Sequence, residues 1–388
     1  MISPFAKRVQ SISIEGAYGT LGKARALEAQ GRDIVHLEIG QPDYSTPQHV
    51  IDSAYRAMQQ GHTKYTYPSG TTEIRESIAH KAGEQRGMSV SADEVVVGPG
   101  AKPLLFLPCL ALVEPGDEVI IPDPGFPTYR DSILVAGGVP VPVELDRMRG
   151  FDLEKLAARI NDRTRMIILN SPSNPTGGVT SAEDLETIAG LAKKYDAWVL
   201  SDEIYSRLVY DDDARTIATL PGMRERTIVL DGFSKTYSMP GWRLGYAIVP
   251  EALAERLAVL LVHSVGCTAD FTQIAGMAAL EGDQAQPERM RDEYKQRRDK
   301  TVAALNKIPG VTCDLPQGAF YVFPDVRSFG RPSREIADFL LDDAGVALLP
   351  GTDFGIGGEG FLRISYATAW ERIAEGIKRI EAALATLA

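Results

Sequence analysis

Short continuous apolar runs alternate with helical patterns through the middle of the chain. Val95-Val96-Val97 is read as a buried strand, followed by Gly98-Pro99-Gly100-Ala101 and an apolar helix from about Lys102. Val119-Ile120-Ile121, Met166-Ile167-Ile168-Leu169, Trp198-Val199-Leu200-Ser201-Asp202, Thr227-Ile228-Val229-Leu230 and Tyr246-Ala247-Ile248-Val249 are further strands, and Ala182 to Tyr195 is a helix. Apolar strands separated by helices predict a mostly parallel sheet covered on both faces, an α/β fold. After about residue 280 the texture changes. A charged helix is expected from Pro287 to Asn306, short strands at Val311 to Asp314, Tyr321 to Phe323 and Phe361 to Tyr366, and helices at Ser333 to Ala344 and Ala369 to Leu387. That pattern predicts a smaller α+β domain. The expected division is a large domain over 45–280 and a small one from 1–44 with 281–388.

Composition adds exclusions. At 388 residues, 44% hydrophobic and 24% charged, the chain has the balance of a globular protein. A net charge of -11 argues against nucleic acid as the main partner. Cys109, Cys267 and Cys313 are read as buried structural thiols, and no CxxC or HExxH pattern calls for a metal. The N-terminal stretch lacks a signal-peptide core, and the longest apolar run, Pro103 to Val113, is too short for a membrane span, so a cytoplasmic protein is expected. Gly355-Ile356-Gly357-Gly358-Glu359-Gly360 satisfies GxGxxG but precedes a strand instead of following one, which rejects a dinucleotide site.

The chemistry gathers where strands end. Lys235 follows one strand in Asp231-Gly232-Phe233-Ser234-Lys235, and Arg243 stands eight residues later. A partly desolvated lysine can lose its proton and become a nucleophile, and an arginine suits a phosphate. Val97-Gly98-Pro99-Gly100-Ala101-Lys102 is a strand–glycine–helix junction of the kind that receives anions, or a plain turn. Asn174 sits between Pro172 and Pro175 after a buried strand, and Asp202 ends another with Tyr205 three residues on. Asp202 is either a buried acid with a cationic or hydrogen-bonding partner or a helix cap. Arg363 lies inside an apolar strand, where it binds a carboxylate or bridges to another strand. One ligand accounts for all of them: a phosphate for Gly100, Ala101, Ser234 and Arg243, a ring nitrogen for Asp202, a ring hydroxyl for Asn174 and Tyr205, an aldehyde for Lys235. Pyridoxal 5'-phosphate carrying an amino acid, whose carboxylate goes to Arg363, has these parts.

On the same segments the chain resembles the class I/II aminotransferases of fold type I, close to the bacterial aspartate aminotransferase branch. The resemblance runs from Gly40-Gln41-Pro42-Asp43 to Arg363-Ile364-Ser365, and rests on Asn174-Pro175-Thr176-Gly177, Ser201-Asp202-Glu203-Ile204-Tyr205 and Ser234-Lys235 with Arg243. It implies a transaminase working on amino acid and 2-oxo acid substrates by a ping-pong cycle, and a homodimer with shared active sites. It implies that Tyr65 reaches the phosphate of the other subunit, that Phe126 stacks on the cofactor ring, and that Gly40 faces the substrate carboxylate. Gly232 stands where many relatives have a phosphate-binding serine, which leaves more of the phosphate to Arg243, Ser234 and the 100–102 loop. Lys102 stands where one aspartate-using branch has a lysine for the distal carboxylate, yet Glu15-Gly16-Ala17-Tyr18 replaces that branch's Ser/Thr. Glu15 is then a candidate for a cationic side chain and Tyr18 for an apolar one. Other reactions of the same cofactor (β-elimination, decarboxylation, oxidation by oxygen) use this fold too. A ligand-sensing domain of a transcription regulator is the competing reading from another class.

Overall fold

The apolar runs pair into one eight-stranded sheet, with two small sheets beside it. The computed structural model describes residues 5–146, 148, 150–211 and 215–387. Across the large sheet the order is Val95–Gly98, Gly245–Ile248, Thr227–Gly232, Trp198–Asp202, Thr164–Asn170, Glu118–Asp123, Val139–Asp146 and Gly150–Phe151. The strands from Thr227–Gly232 to Val139–Asp146 are parallel, Gly245–Ile248 runs against both neighbours, and Gly150–Phe151 is an antiparallel edge. Both faces are dry. Ile228 and Leu230 pack with Leu104, Leu105 and Leu257 on one side, while Val229 packs with Ile74, Phe233 and Tyr246 on the other. That two-residue alternation between two cores is what a continuous apolar strand encodes.

Parallel strands bring their carboxyl ends to one edge, where ligands of open α/β sheets bind. Asn170 pairs with Asp202, and Asp202 with Leu230, so the residues that end these strands stand side by side. Gly98, Gly245 and Gly232 lie in register across the next three strands. A Cβ on Gly245 would come within 2.5 Å of the Ala101 amide nitrogen, so glycine lets the helix Ala101–Leu112 start against the sheet.

The smaller unit holds an antiparallel sheet ordered Tyr321–Val322, Leu362–Ser365, Leu349–Pro350, and a parallel pair, Val35–His36 with Val346–Ala347. Its helices include Ala285–Leu305, Ser333–Asp342 and Trp370–Leu384. The last buries Ile373, Ile377, Ile380 and Leu384, one stripe at helical spacing. The first begins two residues before Pro287, which falls in the first turn, where a missing N–H costs nothing. Two expectations are corrected. Val311 to Asp314 is not a strand: only Thr312 bridges, to Asp325, and the segment otherwise turns with Asn306, whose side chain bonds both backbone groups of Cys313. Cys267 is only partly buried, because its sulfur faces the loop at Thr66 instead of a core; Cys109 and Cys313 are buried.

The GxGxxG stretch lies in short turns ahead of the strand Leu362–Ser365. Its glycines close onto Asp123: the Gly357 amide donates to Asp123 Oδ1 at 2.9 Å, and a Cβ on Gly355 would lie 2.1 Å from that oxygen. Among the described residues no helix is long and apolar enough to cross a membrane.

Candidate active site

A cavity of about 630 Å³ opens at the carboxyl ends of the large sheet and is closed on one side by the smaller unit. Lys235 enters it from the short helix Phe233–Thr236, directly after the strand Thr227–Gly232. Its partly buried amine donates to the Gly40 carbonyl and lies 5.9 Å from the Tyr205 ring centroid and 5.6 Å from that of Phe320. Loss of hydration, with the positive charges of Arg363, Lys102 and Arg243, pushes the lysine from 10.5 down to about 8. A usable fraction is therefore the neutral nucleophile near neutral pH.

Asp202 ends its strand fully enclosed. It accepts a 2.6 Å hydrogen bond from the Tyr129 hydroxyl and a 3.2 Å one from the Ile204 amide. Burial nonetheless raises its carboxyl to about 6, because those donors only partly replace water. Its partners are thus hydrogen-bond donors, and the residues after it, 204–207, form a turn and not a helix. Tyr205 turns into the same cavity, and its hydroxyl pairs with that of Tyr321 at 2.8 Å. Tyr321 also explains Gly40: a Cβ there would fall 1.9 Å from the Tyr321 oxygen.

Arg363 reaches in from the smaller sheet. Nη1 donates to Asn174 Oδ1 at 3.2 Å and Nη2 to the Glu38 carbonyl, while the guanidinium is sandwiched between the rings of Tyr321 and Phe354 at 4.5 and 4.9 Å. Its protein partners are thus an amide and a carbonyl, not the carboxylate of another strand. Its Nε is buried without a protein partner. Such a donor is costly unless a ligand oxygen takes it. Asn174 is held by its backbone N–H, which donates to Asn170 Oδ1 at 2.7 Å; the peptide bonds before Pro172 and Pro175 are cis.

The phosphate-like corner is built from backbone. Gly100 has φ +93° and precedes the helix Ala101–Leu112; a Cβ on it would sit 2.2 Å from Arg243 Nη2. Arg243, itself at φ +55°, is aimed by hydrogen bonds to the carbonyls of Pro240 (2.8 Å) and Pro99 (3.4 Å). Ser234, Ala101, Lys102 and Phe126 line the same cavity, as does Tyr18. Tyr65 does not: it is 96% exposed on the outside.

Three partners escaped the sequence reading. Tyr129 and Tyr321 are ordinary aromatics far along the chain, with no local mark. The third is Arg86, the last residue of the helix Thr72–Arg86, which donates to Glu203 at 2.7 Å and Asp231 at 2.5 Å beneath the cavity floor. Ser206 and Tyr246 add hydroxyls to Asp231, each at 3.1 Å. The signal available was two acids, Glu203 and Asp231, at the ends of apolar strands, which require a cation.

The chain is a fold type I enzyme dependent on pyridoxal phosphate; a lysine of lowered basicity and a buried acid stand at neighbouring strand ends, and a helix start lies two strands from the lysine's. The chain belongs to the family "Aminotransferase class I and II", whose model matches residues 32–380. It is 38% identical to a putative aminotransferase of Bacillus subtilis, over 98% of each chain. It is also 38% identical to a probable aspartate/prephenate aminotransferase of Aquifex aeolicus, again over 98% of each. Among solved structures, Thermus thermophilus aspartate aminotransferase with maleate superposes with a TM-score of 0.94 at 36% identity, covering 98% of this chain and 100% of that one. The protein is accordingly a transaminase. The residues fit the cofactor on their own terms: the anion cradle admits no side chain at 100, Asp202 is an enclosed acid without a cation, and Lys235 is an amine of lowered basicity.

Proposed function

We propose that the chain carries the amino group of an L-amino acid to a 2-oxo acid in two half-reactions at this cavity, with Lys235 as covalent anchor and proton carrier. The observation that carries the assignment is the lowered-pKa amine of Lys235 in one cavity with the unpartnered Nε of Arg363. Bound pyridoxal phosphate supplies an aldehyde for the amino group and a ring that accepts the electrons released at the substrate α-carbon. The backbone of Gly100, Ala101 and Lys102, with Ser234 and Arg243, holds its phosphate, and Phe126 lies against its ring. Asp202, fixed by Tyr129, holds the proton on the ring nitrogen. Tyr205 and Asn174 bond the ring oxygen. Arg363, kept in place by Asn174 and Glu38, takes the substrate carboxylate beside Gly40, with Tyr18 on the side-chain side. The neutral amine of Lys235, once freed, would take the α-proton and return it across the nitrogen to the former aldehyde carbon, two bonds from the α-carbon.

In this reading 45–280 form the large domain and 1–44 with 281–388 the small one. The working unit is a homodimer in which Tyr65 reaches the partner's phosphate. Its support is that this tyrosine is 96% exposed and that Ile51, Tyr55 and Met58, exposed on one helix, line a hollow together with Arg243. A cytoplasmic setting is consistent with three free cysteines.

The test is a spectral screen of the holoenzyme under nitrogen. Each donor amino acid bleaches the absorbance of the aldehyde form, and a 2-oxo acid restores it. Oxygen uptake, or release of pyruvate or carbon dioxide with no bleaching, would refute transamination in favour of the other chemistries of this cofactor.

A further inference from the structure

Glu15 and Lys102, two charged side chains of the cavity wall, are turned toward each other. Lys102 Nζ donates to Glu15 Oε1, and the Thr128 hydroxyl donates to the same oxygen at 3.0 Å. Glu15 stands at the N-cap of the helix Gly16–Glu28 yet does not cap it; its carboxylate is given over to Lys102 and Thr128. The pair lies among aromatic surfaces, with Lys102 Nζ 5.3 Å from the Phe126 ring centroid and 6.0 Å from that of Tyr18. The lysine side chain is 44% exposed and the glutamate 21%.

An ion pair this open is weak and exchangeable. An incoming carboxylate can replace Glu15 on the ammonium at little cost, and an uncharged side chain can leave the pair closed and pack on the rings beside it. We propose that Glu15 is a built-in stand-in for the distal carboxylate of a dicarboxylic substrate. It stays on Lys102 while an aromatic or aliphatic amino acid is bound, and it is displaced when a dicarboxylic partner enters. The site then accepts both classes without carrying an unpaired cation, and Glu15 sets the balance by competing with the dicarboxylate. The inference rests on the assignment of this cavity as an amino-acid site. Arg25, exposed and also on the cavity wall, is the rival cation for the distal carboxylate.

The experiment measures Kd on the holoenzyme for two unreactive probes, succinate and 3-phenylpropionate, by calorimetry and by the shift in cofactor absorbance. Glu15→Gln raises the preference for succinate over 3-phenylpropionate by about fivefold or more, the worth of an exposed ion pair plus the repulsion removed. Adding Lys102→Gln abolishes that gain; adding Arg25→Gln instead leaves it in place. A ratio that stays unchanged or moves toward 3-phenylpropionate overturns the proposal. So does a gain that survives Lys102→Gln and is lost with Arg25→Gln. A wild-type enzyme that binds neither probe would sink the amino-acid assignment of the cavity itself, a failure separable from that of the Glu15 role.

Discussion

Replacing Arg86 with methionine tests whether the floor of the site is held by charge. Arg86, Glu203 and Asp231 have side chains 6%, 4% and 6% exposed, so none of the three charges is screened by water. Methionine fills much of the volume and removes the cation, leaving two enclosed carboxylates. Breaking a buried pair costs about 3–5 kcal/mol. Ser201 still donates to Glu203 at 2.9 Å, and Ser206 and Tyr246 to Asp231, so the expected loss is at the lower end, about 3 kcal/mol. Urea unfolding of wild type and Arg86→Met at pH 8 measures it. A gap below about 1 kcal/mol would refute the reasoning.

Other outcomes follow from the same geometry. Capture of added pyridoxal phosphate by cofactor-free protein should speed up as pH rises through about 8, where the buried Lys235 amine loses its proton, and level off above; stopped-flow absorbance reads it. Gly100→Ala sets a Cβ 2.2 Å from Arg243 Nη2 at φ +93°, so it should weaken phosphate binding by about tenfold or more in equilibrium dialysis while the fold persists in circular dichroism. Arg363→Lys keeps a charge but loses the fork that Asn174, Glu38 and the free Nε define. Its kcat/KM for amino acids should fall by about a hundredfold or more with cofactor affinity retained, the loss of a charge-assisted bidentate contact.

Much of this site was legible because its residues break local rules. A lysine and an acid at the ends of apolar strands, a glycine before a helix and an arginine inside a strand each demand a partner. The ligand that satisfies all of them at once could be named from the segments alone. What could not be read was which distant side chain satisfies each group. Tyr129 on Asp202, Tyr321 on Tyr205 and Arg86 between Glu203 and Asp231 are separated by 73, 116, 117 and 145 residues, and nothing in their own neighbourhoods marks them. Glu15 and Lys102 were each read separately as candidates for a substrate side chain, but a pairing across 87 residues is a property of the fold. Val311 to Asp314 alternates like a strand and fails to become one because its carbonyl and amide groups find Asn306 and Asp325 instead.

The most direct test of the central claim is the position of the cofactor linkage. The holoenzyme is reduced with borohydride, digested, and its peptides weighed. The phosphopyridoxyl group should appear on Lys235 alone, and Lys235→Ala should bind the cofactor with no linkage to the protein for borohydride to fix. A label on another lysine, or a reducible linkage that persists in Lys235→Ala, would contradict the assignment of the whole site.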